Sequence, residues 1–388
     1  MNIWGMILGI AVMLSVLGGA NYYVARKLYQ WIGLFVTNIN VKVYIGVYIF
    51  FAFSMILGFM RSLLPIPMII KNILNWLSAF WMGIFLYLLL LFVVTDLVIL
   101  LGSAVKIVPR PLPQNIRFCA GLMVVLLTIG LVSYGMYNAT QIKHVSYDIQ
   151  VSETTLSPEM NIVLVSDLHL GALNSESNLV KVVQGINDME PDVVCLAGDI
   201  FNDDYGAIHN PEEAIELLKG INAKYGVYAC LGNHDGGSTF NDFISFLEQS
   251  NITLLNDEYV IIDERLVLFG RVDSSPIGGL GELQRKDDEE IKETIASLDT
   301  NIPVVVMDHN PSNIEQYGGE VDLILAGHTH RGQIFPGSLI TNAMYIVDYG
   351  HYQKDADSPH VIVTSGAGTW GMPMRVGTNS EIVSILLR

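Results

Sequence analysis

Five short clusters in this chain place carboxylate, carboxamide and imidazole groups close together: Asp167-Leu168-His169, Gly198-Asp199, Gly232-Asn233-His234-Asp235, Asp308-His309 and Gly327-His328-Thr329-His330. They hold five of the nine histidines in the chain, a concentration that loop chemistry alone does not produce. Mixed oxygen and nitrogen donors suit manganese, iron, zinc or a similar divalent ion, rather than calcium or a magnesium ion bound by oxygen alone. Two such ions about 3.5–4 Å apart clamp a phosphate and the attacking oxygen together, and a carboxylate shared between them is the natural bridge.

Each cluster needs an element to position it, and each follows a short apolar run: 161–165, 193–197, 227–231, 303–307 and 321–326. One Asp or Asn after a strand is ordinary turn chemistry. Five such endings in succession match the rule that ligands gather outside the carboxyl ends of strands in open α/β sheets. Between the runs, residues 178–189, 211–219, 240–249 and 289–298 carry apolar residues at helical spacing, the last opened by acids that suit a helix N-terminus. Strand–helix alternation predicts an α/β domain with much parallel sheet. Residues 144–151 read as an edge strand, 259–262 with 266–269 as a hairpin, and 382–387 as a last strand. The acids at 287–290 lack the spaced ligands and glycine of a calcium loop and read as a solvated helix start.

In this order the five clusters resemble the calcineurin-like metallophosphoesterase superfamily, over about residue 145 to the end. Ser166-Asp167-Leu168-His169-Leu170-Gly171, residues 327–333 and the tail Gly366-Ala367-Gly368-Thr369-Trp370, with Arg375 and Glu381, look closest to its membrane-associated bacterial branch. The whole arrangement is similar to transmembrane proteins with a metallophosphoesterase domain. The resemblance implies a four-layer α/β/β/α sandwich with the site on its rim. It implies one metal held by Asp167, His169, Asp199 and His330, and a second held by Asp199, Asn233, His309 and His328, with Asp199 bridging. It implies hydrolysis of phosphomonoester or phosphodiester bonds by a metal-bound hydroxide, with His234 protonating the leaving oxygen or steadying the phosphate. One position departs from the family. Gly-Asp-x-x-Asp is common there, but the last place here is Asn202, which cannot favour a charged imidazolium as a carboxylate does. Asp203, Asp204 or Asp235 are the candidates to replace it. Asp235 otherwise reads as a cap or turn residue, and Asp308 as a carboxylate supporting its ligand neighbour. Arg331 and Arg375 are candidates to reach a substrate phosphate, since a guanidinium matches phosphate geometry.

The rest of the chain is of a different kind. The full chain is 51% hydrophobic with a mean hydropathy of +0.43, too apolar for an ordinary soluble protein. Residues 1–139 hold eight Lys and Arg against a single acid, Asp96, whereas the remainder holds 13 against 37 acids. That asymmetry predicts a helical membrane block over 1–140 joined to a water-soluble domain over 141–388. Four stretches, 3–24, 43–60, 76–101 and 118–137, approach or exceed the roughly 20 apolar residues a bilayer core requires. Trp4, Trp76, Tyr134 and Tyr137 sit where interfacial aromatics belong. The first stretch lacks a basic leader and is long for a signal peptide, so it reads as retained. Residues 62–75, with Pro65 and Pro67, read as lying flat in the interface or re-entering. Arg26, Lys27, Lys42, Lys106, Arg110 and Arg117 fall on one side, and Arg61, Lys71 and Lys143 on the other. The first side is expected to be cytoplasmic, which puts the α/β domain outside. Asp96, near the cytoplasmic end of the third span, is a candidate functional or interfacial carboxylate.

An acidic domain is a poor match for sequence-independent nucleic-acid binding. Cys119, Cys195 and Cys230 make no disulfide framework. The function expected is a membrane-anchored, two-metal phosphoester hydrolase acting on a lipid-linked or envelope substrate. The competing readings are a catalytically silent binding or scaffold protein on the same fold, and a soluble-nucleotide phosphodiesterase. A helix block that is itself the working part, as in a sensor or transporter, is disfavoured by its few polar residues.

Overall fold

The computed structural model describes residues 3–60, 64–151, 159–174, 176–281, 283–298 and 302–388. Arg61 and the start of the 62–75 segment lie outside them, as does the side chain of Trp4. The chain divides into two compact units, Met1–Tyr134 and Gly135–Arg388.

The first unit is built from α1 (Ile3–Ile32), α2 (Val41–Phe59), α3 (Met68–Ala104) and the greater part of α4 (Gln114–Ala139). All four helices are long and apolar enough to cross a membrane. Val24, Tyr48, Met55, Phe85, Leu88, Phe92 and Val124 interlock between them. Residues 68–75 are the first two turns of α3, continuous with the rest of that helix. Pro65 and Pro67 stop the helix on their side, and no proline interrupts it after Met68. Asp96 is neither alone nor buried. Its carboxylate accepts from Lys27 Nζ at 2.5 Å and Tyr23 Oη at 2.8 Å, with 41% of the side chain exposed. Lys27, Gln30 and Arg117 line a cavity of about 440 Å³ beside it.

The second unit contains β1 (Ile142–Ile149), β2 (Met160–Val165), α5 (Glu176–Asp188), β3 (Val193–Ala197), α6 (Pro211–Lys219), β4 (Val227–Cys230), α7 (Phe240–Gln249) and β5 (Ile252–Leu254). It continues through β6 (Glu258–Ile262), β7 (Leu266–Gly270), α8 (Asp288–Ala296), β8 (Val304–Met307), β9 (Leu323–Ala326), α9 (Gly337–Met344), β10 (Gly350–Tyr352), β11 (His360–Val363) and β12 (Ser380–Leu387). The strands form two six-stranded sheets, ordered β1-β12-β2-β3-β4-β5 and β10-β11-β9-β8-β7-β6. β2 to β5 are parallel in the first, and β7, β8, β9 and β11 in the second.

Side-chain alternation makes these sheets the two middle layers of four. Along β2, Ile162 and Leu164 point at the opposing sheet, packing with Cys195, Leu268, Val305 and Leu325. Val163 and Val165 point the other way, against Leu179, Val182, Phe243 and Phe246 of α5 and α7. On the far side, Val267, Phe269 and Val306 pack against Ile291 and Ile295 of α8. Strands buried on both faces read as unbroken apolar runs, which is why the central strands are visible in the sequence. The domain is a four-layer α/β/β/α sandwich.

Candidate metal centre

The parallel strands of both sheets deliver the five clusters to one rim. Asp167 and His169 follow β2, Asp199 follows β3, Asn233 and His234 follow β4, His309 follows β8, and His328 and His330 follow β9. Two groups of ligand-type atoms result, Asp167 with His169 and His330, and Asp199 with His309 and His328. His330 Nε2 lies 3.3 Å from Asp167 Oδ1 and 3.1 Å from His169 Nε2. His169 Nε2 is 3.7 Å from Asp199 Oδ2, and His309 Nε2 is 3.1 Å from the same oxygen. Asn233 Oδ1 sits 2.8 Å from His328 Nδ1. Asp199 therefore lies between the two groups, and all seven expected ligand residues converge.

The donors fit divalent cations. His309 Nδ1 donates to the Ala197 carbonyl at 2.8 Å, which leaves Nε2 as the nitrogen with a lone pair. That atom is buried and makes no hydrogen bond, although Asp199 is beside it. An orphaned buried nitrogen aimed at a carboxylate is what a cation between them resolves. Burial lowers the pKa of His169 to about 3 and that of His328 to about 4. Both are thus held as neutral rings able to ligate. Burial also pushes the Asp199 carboxyl upward, but the adjacent His309 imidazole outweighs it and holds Asp199 ionised.

The local backbone is unusual. Asp167, His169, Asp199, His328 and His330 all have positive φ, between 46° and 69°, a region that costs a non-glycine residue roughly 1–2 kcal/mol. Such conformations cluster at functional sites. Glycine makes the crowding workable. A Cβ on Gly232 would overlap the amide and carboxylate of Asp199. Gly232→Ala is expected to weaken metal retention about tenfold or more, the scale seen when groups that orient ligands are disturbed. Metal content after dialysis measures this, and retention at the level of the unsubstituted protein would contradict it.

His234 stands beside both groups. Its backbone N–H donates to Asp199 Oδ1 at 2.8 Å, and its Nδ1–H donates to Asp203 Oδ1 at 2.7 Å. Its ring is 5.1 Å from that of His169 and 5.7 Å from that of Trp370. Burial disfavours the charged ring, but the Asp203 bond and the charges of Asp199, Asp203 and Asp235 raise its pKa above the ordinary value. Asp203 thus takes the place that Asn202 cannot fill. The buried Asn202 makes no side-chain hydrogen bond among the described residues.

Asp235 Oδ1 accepts from the Phe201 amide and Oδ2 from the Gly232 amide, both at 2.8 Å, so it ties two ligand loops together. Burial and the charge of Asp199 raise its pKa to about 7. Asp308 accepts from Asn313, Gln316 and Tyr317, which braces the turn after His309. Arg331 is half-buried, its guanidinium 4.1 Å from the centroid of the Tyr349 ring. Arg375 differs from the expectation of a phosphate contact. It is fully buried and donates to the carbonyls of Ser365, Gly366 and Gly368, with Nη2 3.3 Å from His330 Nδ1. A guanidinium saturated by carbonyls is a structural pin.

Three neighbours of the centre lie outside the ligand clusters. Asn310 Nδ2 is 3.5 Å from His328 Nε2, and the ring of Tyr345 is 6.2 Å from that of His328. Tyr349, under Arg331, donates to Glu381 at 3.0 Å. Only the position of Asn310, directly after His309, hinted at a role.

A sequence profile described as calcineurin-like phosphoesterase matches residues 160–332, which contain all seven ligand positions. The chain is 30% identical over 243 residues to an uncharacterized metallophosphoesterase of Aquifex aeolicus, covering 62% of this chain and 90% of that one. It is 27% identical over 393 residues to an uncharacterized metallophosphoesterase of Campylobacter jejuni, covering 97% of both. It is also 27% identical over 282 residues to a Danio rerio protein named transmembrane protein with metallophosphoesterase domain, covering 69% of this chain and 62% of that one. With its ligand clusters in the family's order and a relative matched over nine-tenths of its length, the chain belongs to the calcineurin-like phosphoesterase family.

Proposed function

We propose that this chain is a membrane-anchored phosphoesterase with two divalent metals, manganese, iron or zinc, that hydrolyses phosphomonoester or phosphodiester bonds on a lipid-linked or envelope substrate. The observation that carries the proposal is the convergence of Asp167, His169, Asn233, His309, His328 and His330 on a buried Asp199. When bound, a metal pair offsets charge on the phosphoryl oxygens and makes water acidic enough to serve as a nucleophile near neutral pH. The protein's own share is position and protons. Asp199 is placed between the two ligand groups. His234, held by Asp203 through Nδ1, keeps Nε2 free to give a proton to a leaving oxygen. Arg331, beside His330, presents a guanidinium to an anionic substrate. Four long apolar helices favour an anchored enzyme over one acting on soluble nucleotides.

The test is hydrolysis of a chromogenic phosphoester by the full-length protein, stripped with chelator and then supplied with manganese, iron or zinc. Activity should vanish on stripping and return with at least one ion. A protein inactive on several esters, with no copurifying metal, would leave the scaffold reading in place. Orientation has its own test. The excess of Lys and Arg on one side favours an α/β unit outside the cytoplasm, so a C-terminal alkaline phosphatase fusion should be active and a C-terminal green fluorescent fusion dark. The reverse pattern rejects this placement.

A further inference from the structure

The α/β unit carries an uncharged apolar face at the edge of the metal centre. Of the eleven large hydrophobic side chains left exposed among its described residues, five fall between Phe335 and Ile346. Leu339 is 64% exposed, Ile340 60% and Met344 70%, and no described residue of α9 is buried. The helix is inverted relative to the usual pattern of apolar face inward. Its polar residues are the anchored ones, with Thr341 Oγ1 donating to Asp348 Oδ2 at 2.7 Å and Asn342 Nδ2 to Asp348 Oδ1 at 3.5 Å. Thr329, between two metal-ligand histidines, donates to the Asp348 carbonyl at 2.6 Å. At 100° per residue, Leu339, Ile340 and Met344 fall on the side away from Thr341 and Asn342.

This face adjoins the centre at both ends. The segment begins three residues after Gly332, and at its far end Tyr345 meets the ring of His328. Gln333 hydrogen-bonds both the amide and the carbonyl of Trp370, whose indole is 43% exposed and lies beside His234. Residues 335–346 contain no Asp, Glu, Lys, Arg or His, within a unit rich in acids. A strongly acidic surface is repelled by an anionic bilayer, so an uncharged apolar stretch with Tyr and Trp at its borders is the part suited to the interfacial layer.

We infer that the Leu339–Ile340–Met344 face of α9, with Trp370, seats in the interfacial layer of a lipid bilayer and brings the metal cleft to phosphates carried by lipids in that bilayer. The occupant is the bilayer, because the same chain carries four helices long and apolar enough to lie in one. The second half of the inference, turnover of a lipid phosphate, rests on the phosphoesterase reading above. The seating does not.

The test uses the full-length protein in nanodiscs of phosphatidylcholine and phosphatidylglycerol. Ile340→Cys is made in a Cys119→Ser background, since Cys195 and Cys230 are buried, and labelled with a nitroxide. Glu248→Cys, exposed on α7, is the control. The label at 340 should collide more with oxygen than with a water-soluble nickel chelate, and the label at 248 the reverse. Nickel collisions dominating at 340 overturn the seating. So does spin–spin broadening at 340, which would mean that a second copy covers the face. In a parallel assay, Leu339→Glu with Ile340→Glu and Met344→Glu should lower hydrolysis of long-chain phosphatidate in the discs tenfold or more, with the rate on a soluble chromogenic ester unchanged. Equal loss on both esters would make the helix a structural part and overturn the inference. If the unsubstituted protein hydrolyses neither ester, the phosphoesterase reading falls, and the nitroxide result alone decides the seating.

Discussion

Asp199→Ala is expected to leave the protein folded but without its metal pair, and to reduce hydrolysis on the order of 10³-fold or more. The size follows from charge. A metal ion contributes several kcal/mol of transition-state stabilisation, and each 1.4 kcal/mol is a factor of ten in rate. The Asp199 carboxylate lies against a histidine of each ligand group, 3.1 Å from His309 and 3.7 Å from His169, so its removal is expected to affect both ions rather than one. It also accepts the His234 amide, which makes Asp199→Asn the better partner variant, because the carboxamide oxygen still accepts that bond while the negative charge is lost. Metal content by mass spectrometry, rate on a chromogenic ester, and circular dichroism are measured together. Two metals per chain retained in both variants would remove Asp199 from the centre. An unfolded Asn variant would show that the residue serves the fold first.

His234→Ala is expected to keep its metals and lose about 10²–10⁴-fold in kcat, the usual contribution of a positioned proton donor. If the ring protonates the leaving oxygen, the loss depends on the leaving group: severe for an alkyl phosphate, slight for a nitrophenyl one that departs without help. Asp203→Asn separates the ring from its support. Burial opposes the charged ring, and the Asp203 bond is the largest effect raising its pKa. A proton donor works only below its own pKa, so activity falls as pH rises through that value. Removing Asp203 lowers the value, and the alkaline limb of the kcat profile should move to lower pH, with a fall of about 10–100-fold near neutrality. A profile that keeps its alkaline limb, and a loss independent of leaving group, would confine His234 to binding.

The central strands were legible because each is buried on both faces and ends in ligands, so composition and punctuation coincide. Residues 193–197 and the helices 211–219 and 240–249 were expected at the boundaries the structure gives them. The short strands β5, β10 and β11 escaped notice because three or four residues show no period. Helix α9 escaped because its apolar residues face outward, and a pattern search expects the reverse. Among the side chains, the ligand clusters were readable from residue type and order. The role of Asp203 was not, since Asn202, Asp203, Asp204 and Asp235 stand together in composition and only the fold decides which reaches His234. The role of Arg375 is hidden for a related reason. An arginine near a phosphate site and an arginine pinning carbonyls behind one look alike in a sequence.

The left-handed backbone at five of the seven ligand residues has a bearing on how long the protein survives in a cell. Bound cations would draw the side chains together and offset those bends, which would work against the rim once the cations were withdrawn. A chain starved of metal would therefore loosen first around its chemistry, with the buried sheets still intact behind it. Such a copy would offer slackened loops to a protease, so metal supply is expected to influence how much of the protein persists.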